Sequence, residues 1–116
     1  MSKLEAPPDK FSSGWLNELD GRTGIAQAMR ERYRVFTNDL GGLSRLSYAQ
    51  RSLVERALWL EYWLATQEQS LATGEDFDVG KWVQATNSLQ GILSKLGLNR
   101  VAKNVPDIGE YLRGKA

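Results

Sequence analysis

Five arginines, Arg22, Arg30, Arg32, Arg34 and Arg45, crowd one stretch of this chain and are its most obvious chemical resource. A guanidinium is a planar, permanently charged fork of donors whose shape matches a phosphate. Arg30 and Arg34, four residues apart, share a helix face, and with Arg22 they could track the backbone of double-stranded DNA. The same residues, with Glu31 interspersed, would equally make an ordinary solvated helix face. A helix-turn-helix does not fit, because residues 41–46 are longer and richer in glycine than its usual turn of about 3–4 residues.

Other chemistry is thin. The sequence has no histidine and no cysteine. That removes the commonest general base, the commonest metal ligand, every thiolate site and every Ser-His or Cys-His nucleophile. The acidic run Glu75-Asp76-Phe77-Asp78 lacks the ligand spacing of a calcium loop and reads as a solvated turn ending in a helix cap. No G-x-x-x-x-G-K-[ST] or G-x-G-x-x-G pattern is present, and Gly114-Lys115 is no phosphate loop. The expectation is a protein that is not an enzyme and carries no cofactor and no metal.

The elements that would position the arginines are helical. At 116 residues the chain is sized for one small domain. Its first ten residues carry no apolar core of a secretion signal. Its longest apolar run, residues 57–65, is interrupted by Glu61 and falls short of the roughly 20 residues a membrane span needs. A soluble, cytoplasmic protein is expected. The net charge of +1 is unevenly spread: −2 over residues 1–21, +3 over 22–45, −4 over 46–78 and +4 over 79–116. Such alternation favours contacts between unlike segments or between copies of the chain.

The fold expected is all-α, a small helical domain centred on an antiparallel helical hairpin. Residues 1–14, with Pro7-Pro8 and Ser12-Ser13-Gly14, read as a flexible arm. Residues 15–98 form the domain, opening at Trp15, Leu16 and Leu19. After Asp20, Ile25, Met29, Phe36 and Leu40 fall on one helical stripe, and Gly41-Gly42 ends it. The hairpin occupies residues 47–98. Ser47 with Gln50 makes a capping box, and Gly74 ends the first hairpin helix. Asp78 caps the second, whose Trp82, Thr86, Leu89, Leu93 and Leu96 repeat at the spacing of a close helix seam before Gly97 closes it. Gly91, inside that helix, either admits a close neighbour or is merely tolerated.

The first hairpin helix is apolar on two sides. Leu53, Val54, Ala57, Leu60, Leu64, Leu71 and Ala72 make one broad face, and Trp59 and Trp63 lie roughly opposite. That second side could line a ligand pocket, but it more readily meets another copy of the chain or the first helix. Residues 99–116 form a basic tail set off by Pro106, in which Ile108, Tyr111 and Leu112 make a small apolar face. The face could dock on its own domain or bind a partner.

The order of these parts resembles a known family. A helix opening Leu46-Ser-Tyr-Ala-Gln-Arg-Ser-Leu-Val-Glu-Arg-Ala precedes one carrying Gln84-Ala-Thr-Asn-Ser-Leu-Gln-Gly-Ile-Leu-Ser-Lys-Leu-Gly-Leu. A basic stretch ending Asp107-Ile-Gly-Glu-Tyr-Leu follows. Over residues 46–112 this is similar to the small subunit of tailed-phage terminases and its counterpart in gene transfer agents. The resemblance implies a non-catalytic DNA-packaging adaptor that forms a ring, engages viral DNA and presents its C-terminus to the large terminase subunit, an ATPase and nuclease. It gives Trp59, Trp63, Leu89 and Leu93 an assembly role and makes Ile108, Tyr111 and Leu112 the large-subunit contact. Many members carry an N-terminal helix-turn-helix domain, whereas only one good helix precedes Leu46, so the arginines would make weak, non-specific DNA contacts. The competing expectation is a small dimeric DNA-binding regulator using the arginine-rich first helix, and a third is a scaffold that touches no nucleic acid.

Overall fold

In the computed structural model, residues 3–97 are described, and the tail motif Ile108, Tyr111 and Leu112 lies outside them, as does all of 99–116. Among the described residues the element order is α1 (Trp15–Glu18), α2 (Gly24–Asp39), a 3-10 turn (Leu43–Arg45), α3 (Tyr48–Ala72) and α4 (Val79–Leu96). The all-α expectation holds: among the described residues there is no strand, only an isolated parallel bridge between Leu4 and Leu19. No helix among them is long and apolar enough to cross a membrane.

Each long helix begins where a side chain can satisfy its free backbone donors. For α2 that residue is Thr23, whose hydroxyl accepts from the Ala26 N–H. The box predicted for α3 forms on both sides: the Ser47 hydroxyl accepts from the Gln50 N–H at 3.1 Å, and the Gln50 amide oxygen accepts from the Ser47 N–H at 2.8 Å. Asp78 caps α4 through the Lys81 N–H. Between α2 and α3, Gly41 and Gly42 hold φ of 109° and 100° in succession, a path that side-chain-bearing residues rarely follow.

The 25-residue α3 is the axis. At 1.5 Å per residue it runs about 37 Å, and it packs against α2 on one side and α4 on the other. Its core residues Val54, Ala57, Leu58 and Leu60 meet Trp15, Leu16 and Leu19 from the N-terminal segment, Ala26 and Met29 from α2, and Ile92 and Leu96 from α4. Every one of these lies in the proximal half of the hairpin or packs against it. Beyond Leu64 in α3 and before Ile92 in α4 no side chain is fully buried. Leu71 and Ala72, expected on the packed face, are exposed because α4 is the one helix left beside them at that end.

The described part of the arm expected over residues 1–14 packs against the domain. The Leu4 N–H donates to the Glu18 carbonyl at 2.8 Å and the Asp20 N–H to the Leu4 carbonyl at 2.7 Å, closing a loop over the start of the domain. Pro7 is buried, and Leu4 and Phe11 pack against the core. The physical reason is apolar area. Leu4 pairs with Leu19, Phe11 meets Trp59 of α3, and burying these side chains with Pro7 offsets the entropy of ordering the arm.

Candidate functional site

The arginines are spent largely within the chain. Arg22 pairs with Asp20 at 2.8 Å, and that bidentate contact with an added backbone hydrogen bond holds the Asp20 carboxyl at about 2, against an ordinary 3.8. Arg34 pairs with Glu31 one turn before it, and the guanidinium lowers the Glu31 pKa. Arg32 reaches across to Glu61 of α3 at 2.8 Å. Arg30 turns inward: its guanidinium donates to the carbonyls of Leu16 and Leu19, at 3.3 and 3.0 Å, and so ties α2 to the end of α1. Arg45 is exposed in the 3-10 turn. Four of the five side chains thus have partners within the chain, and Arg30, expected on one outward face with Arg34, turns inward. Carboxylates at 20, 31 and 61 were close enough in three dimensions to take them, and the pairing across α2 and α3 has no signature in linear spacing.

Trp59 and Trp63 also part company. The Trp59 indole N–H donates to the Pro8 carbonyl at 2.8 Å, and its ring meets Phe11 edge-on, with centroids 6.1 Å apart at 81°. The Arg56 guanidinium lies 4.0 Å from the centre of the same Phe11 ring. One face of Trp59 is thus closed by the chain's own arm, and a second copy would have to displace Pro8 and Phe11 to reach it. Trp63 is half-buried farther along α3. Leu89 packs at the edge of the core, and Leu93 beside it is half-buried. Of the four residues expected to serve assembly, Trp59 and Leu89 also pack against the subunit's own core, and all four are half-buried.

Glu55 was not singled out by the sequence, yet it organises this end. Its carboxylate accepts from the Gly14 N–H at 2.6 Å, and its backbone carbonyl accepts from the Trp15 indole N–H at 3.2 Å. The only sequence signal was a lone acid beside an apolar stripe.

Two features remain open to a partner. Between α2 and α3 an open cleft of about 350 Å³ is floored by Val35, Phe36 and Leu58 and rimmed by Glu31, Arg32, Asp39 and Glu61. At the far end of the hairpin, Leu71, Val79 and Val83 are exposed around the acidic loop. There Trp82 is held by stacking at a tilt on Phe77 and by an indole hydrogen bond to Glu68 at 3.2 Å. Among the described residues no group of three potential ligating side chains could hold a metal ion. What this arrangement offers is exposed apolar and charged surface. Comparison of the chain with protein-family models, with curated proteins and with solved structures found no match.

Proposed function

We propose that this chain is a non-catalytic assembly adaptor, and that it acts as a terminase small subunit does: it oligomerises, contacts DNA weakly and engages the large packaging subunit. The observation that carries the reading is the half-packed hairpin. Its proximal half is built into a closed core, while its distal half projects with Leu71, Val79 and Val83 uncovered. Exposed apolar side chains gathered at the end of a projecting element cost solubility without helping the subunit fold, so an interface accounts for them best. The lack of histidine and cysteine in the sequence supports a binding role over catalysis. The same reading places the protein in the cytoplasm, that of the host cell if it is viral, where such packaging occurs.

DNA contact is the lesser part of the proposal. Arg22, Arg32 and Arg34 already hold carboxylates and Arg30 holds carbonyls, so phosphates would have to compete for them. Arg45 is exposed and pairs with no carboxylate among the described residues. The tail residues Ile108, Tyr111 and Leu112 are proposed to contact the large subunit on the strength of the sequence resemblance.

Mass measurement by light scattering across micromolar concentrations tests the reading. Assemblies of several copies are expected, and a monomer throughout would refute it. Titration with duplex DNA at several salt concentrations tests the lesser part. Replacing Arg22 and Arg34 with Ala should weaken binding and flatten its salt dependence, by about one unit of slope for each phosphate no longer neutralised. Unchanged binding would remove DNA from the proposal.

A further inference from the structure

The two ends of α3 carry exposed patches of matched chemistry. At its start, in residues 43–51, Leu43 is 47% and Tyr48 74% exposed, and the charged residues are Arg45 and Arg51, both exposed, a net +2. At its far end, in residues 71–83, Leu71 is 57%, Val79 60% and Val83 43% exposed, and Glu75, Asp76, Asp78 and Lys81 give a net −2. Asp78 is occupied in capping α4, which leaves Glu75 and Asp76 as exposed acids in the loop itself. Asp39, the acid nearest the basic patch along the chain on its α2 side, lines the α2–α3 cleft.

These patches cannot meet within one molecule. Tyr48 and Leu71 stand on one continuous helix, about 35 Å apart at 1.5 Å per residue, and a helix does not fold back on itself. A second copy presents each patch to its complement. We infer that the basic, apolar start of α3 in one subunit receives the acidic, apolar hairpin tip of the next, in a head-to-tail contact between copies of this chain. Apolar contact at Leu43 and Tyr48 against Leu71, Val79 and Val83 would supply area, and Arg45 and Arg51 against Glu75 and Asp76 would set register and reject tip-to-tip pairing. Where each subunit uses its two patches on different neighbours, the contact is heterologous and propagates, closing into a ring or continuing as a filament according to the rotation between them; two antiparallel copies that satisfy both patches at once close instead as a dimer. The inference rests on the assembly reading and specifies its contact surfaces.

Charge reversal with rescue tests it on the full-length chain. The pair Arg45→Glu/Arg51→Glu and the pair Glu75→Lys/Asp76→Lys should each weaken association at least tenfold by sedimentation at low salt, with helicity by circular dichroism unchanged. The chain carrying all four substitutions should associate again, since its ends are complementary with signs exchanged. If the wild-type chain is monomeric, the assembly reading fails and this contact with it. If the wild type associates but either pair is without effect, this contact is wrong while assembly stands. If both pairs weaken association and the fourfold variant does not recover, the two patches do not face each other. Loss of helicity in the charge variants would be met by Leu71→Ser/Val79→Ser, which should weaken association alone; no weakening there overturns the contact.

Discussion

The two halves of the hairpin are made of similar residues and do opposite things. In the proximal half, Trp15, Leu19 and Val54 are sealed from solvent, the Trp15 indole has found the Glu55 carbonyl, and Arg30 has been drawn in to hold the end of α1. In the distal half the comparable aromatic, Trp82, is only half-buried and its neighbours Val79 and Val83 face water. The difference lies in the number of layers. Where α1, α2 and the arm lie over α3, a two-sided apolar helix is covered on both sides; where α4 alone accompanies it, one side stays bare. A helix apolar on two sides thus reports how many neighbours it needs, and the described residues supply them at one end only.

The contrast is most severely tested by tryptophan deletion. Trp15→Ala should cost about 3–5 kcal/mol of unfolding free energy, as expected for a large buried aromatic, whereas Trp82→Ala should cost roughly 1 kcal/mol, as for a half-exposed site. Equal losses in urea unfolding would show that the distal half is packed as firmly as the proximal. Next in size, Phe11→Ala removes the ring between Trp59 and Arg56 and should cost about 1–2 kcal/mol, a sum of edge-to-face and cation–π contact. Trp59 fluorescence should shift to the red; an unchanged spectrum would mean that the arm does not cover it.

A smaller effect has the opposite sign. Among the described residues a Cβ on Gly91 meets nothing within 4 Å, so none of them requires glycine there. Gly91→Ala should stabilise the chain by about 0.5–1 kcal/mol through helix propensity, and destabilisation would mean that α4 lies against something in the assembled state. Least of all in energy is the Asp20–Arg22 pair, which is exposed to solvent. Because the folded Asp20 pKa is depressed to about 2, its contribution is present above the ordinary 3.8 and is lost as pH falls toward 2. Its carboxyl carbon resonance should titrate near 2 and return to the ordinary range in Arg22→Ala; no change between the two would break the pairing.

Much of the fold was legible beforehand because it depends on neighbours in sequence. Ser47 with Gln50, Asp78, the paired glycines at 41 and 42, and Gly97 are local devices whose geometry closes within a few residues. The start of α2 was less legible: its cap is Thr23, and Asp20, the more conspicuous acid, is occupied by Arg22. The candidate site was the least legible part. Arg32 finds Glu61 across 29 residues and Trp59 finds Pro8 across 51, and periodicity is silent about such partners. A stripe on a helical wheel says that a face is apolar, and it leaves open which segment covers that face.

What the sequence by itself determined, then, is helix placement, the caps, and a hairpin apolar on two sides with too little chain to bury both along its length. These follow from local hydrogen bonding and from the helical period, which need no knowledge of distant residues. Tertiary structure alone decided that the arm closes over Trp59, that four of the five arginines are engaged within the subunit, and that bare apolar side chains gather at Leu71, Val79 and Val83 at the tip and at Leu43 and Tyr48 by the start of α3. Burial is a property of the packed whole: the short arm and α1 reach only the proximal end of a helix about 37 Å long, so their apolar area is spent there and none is left for the tip.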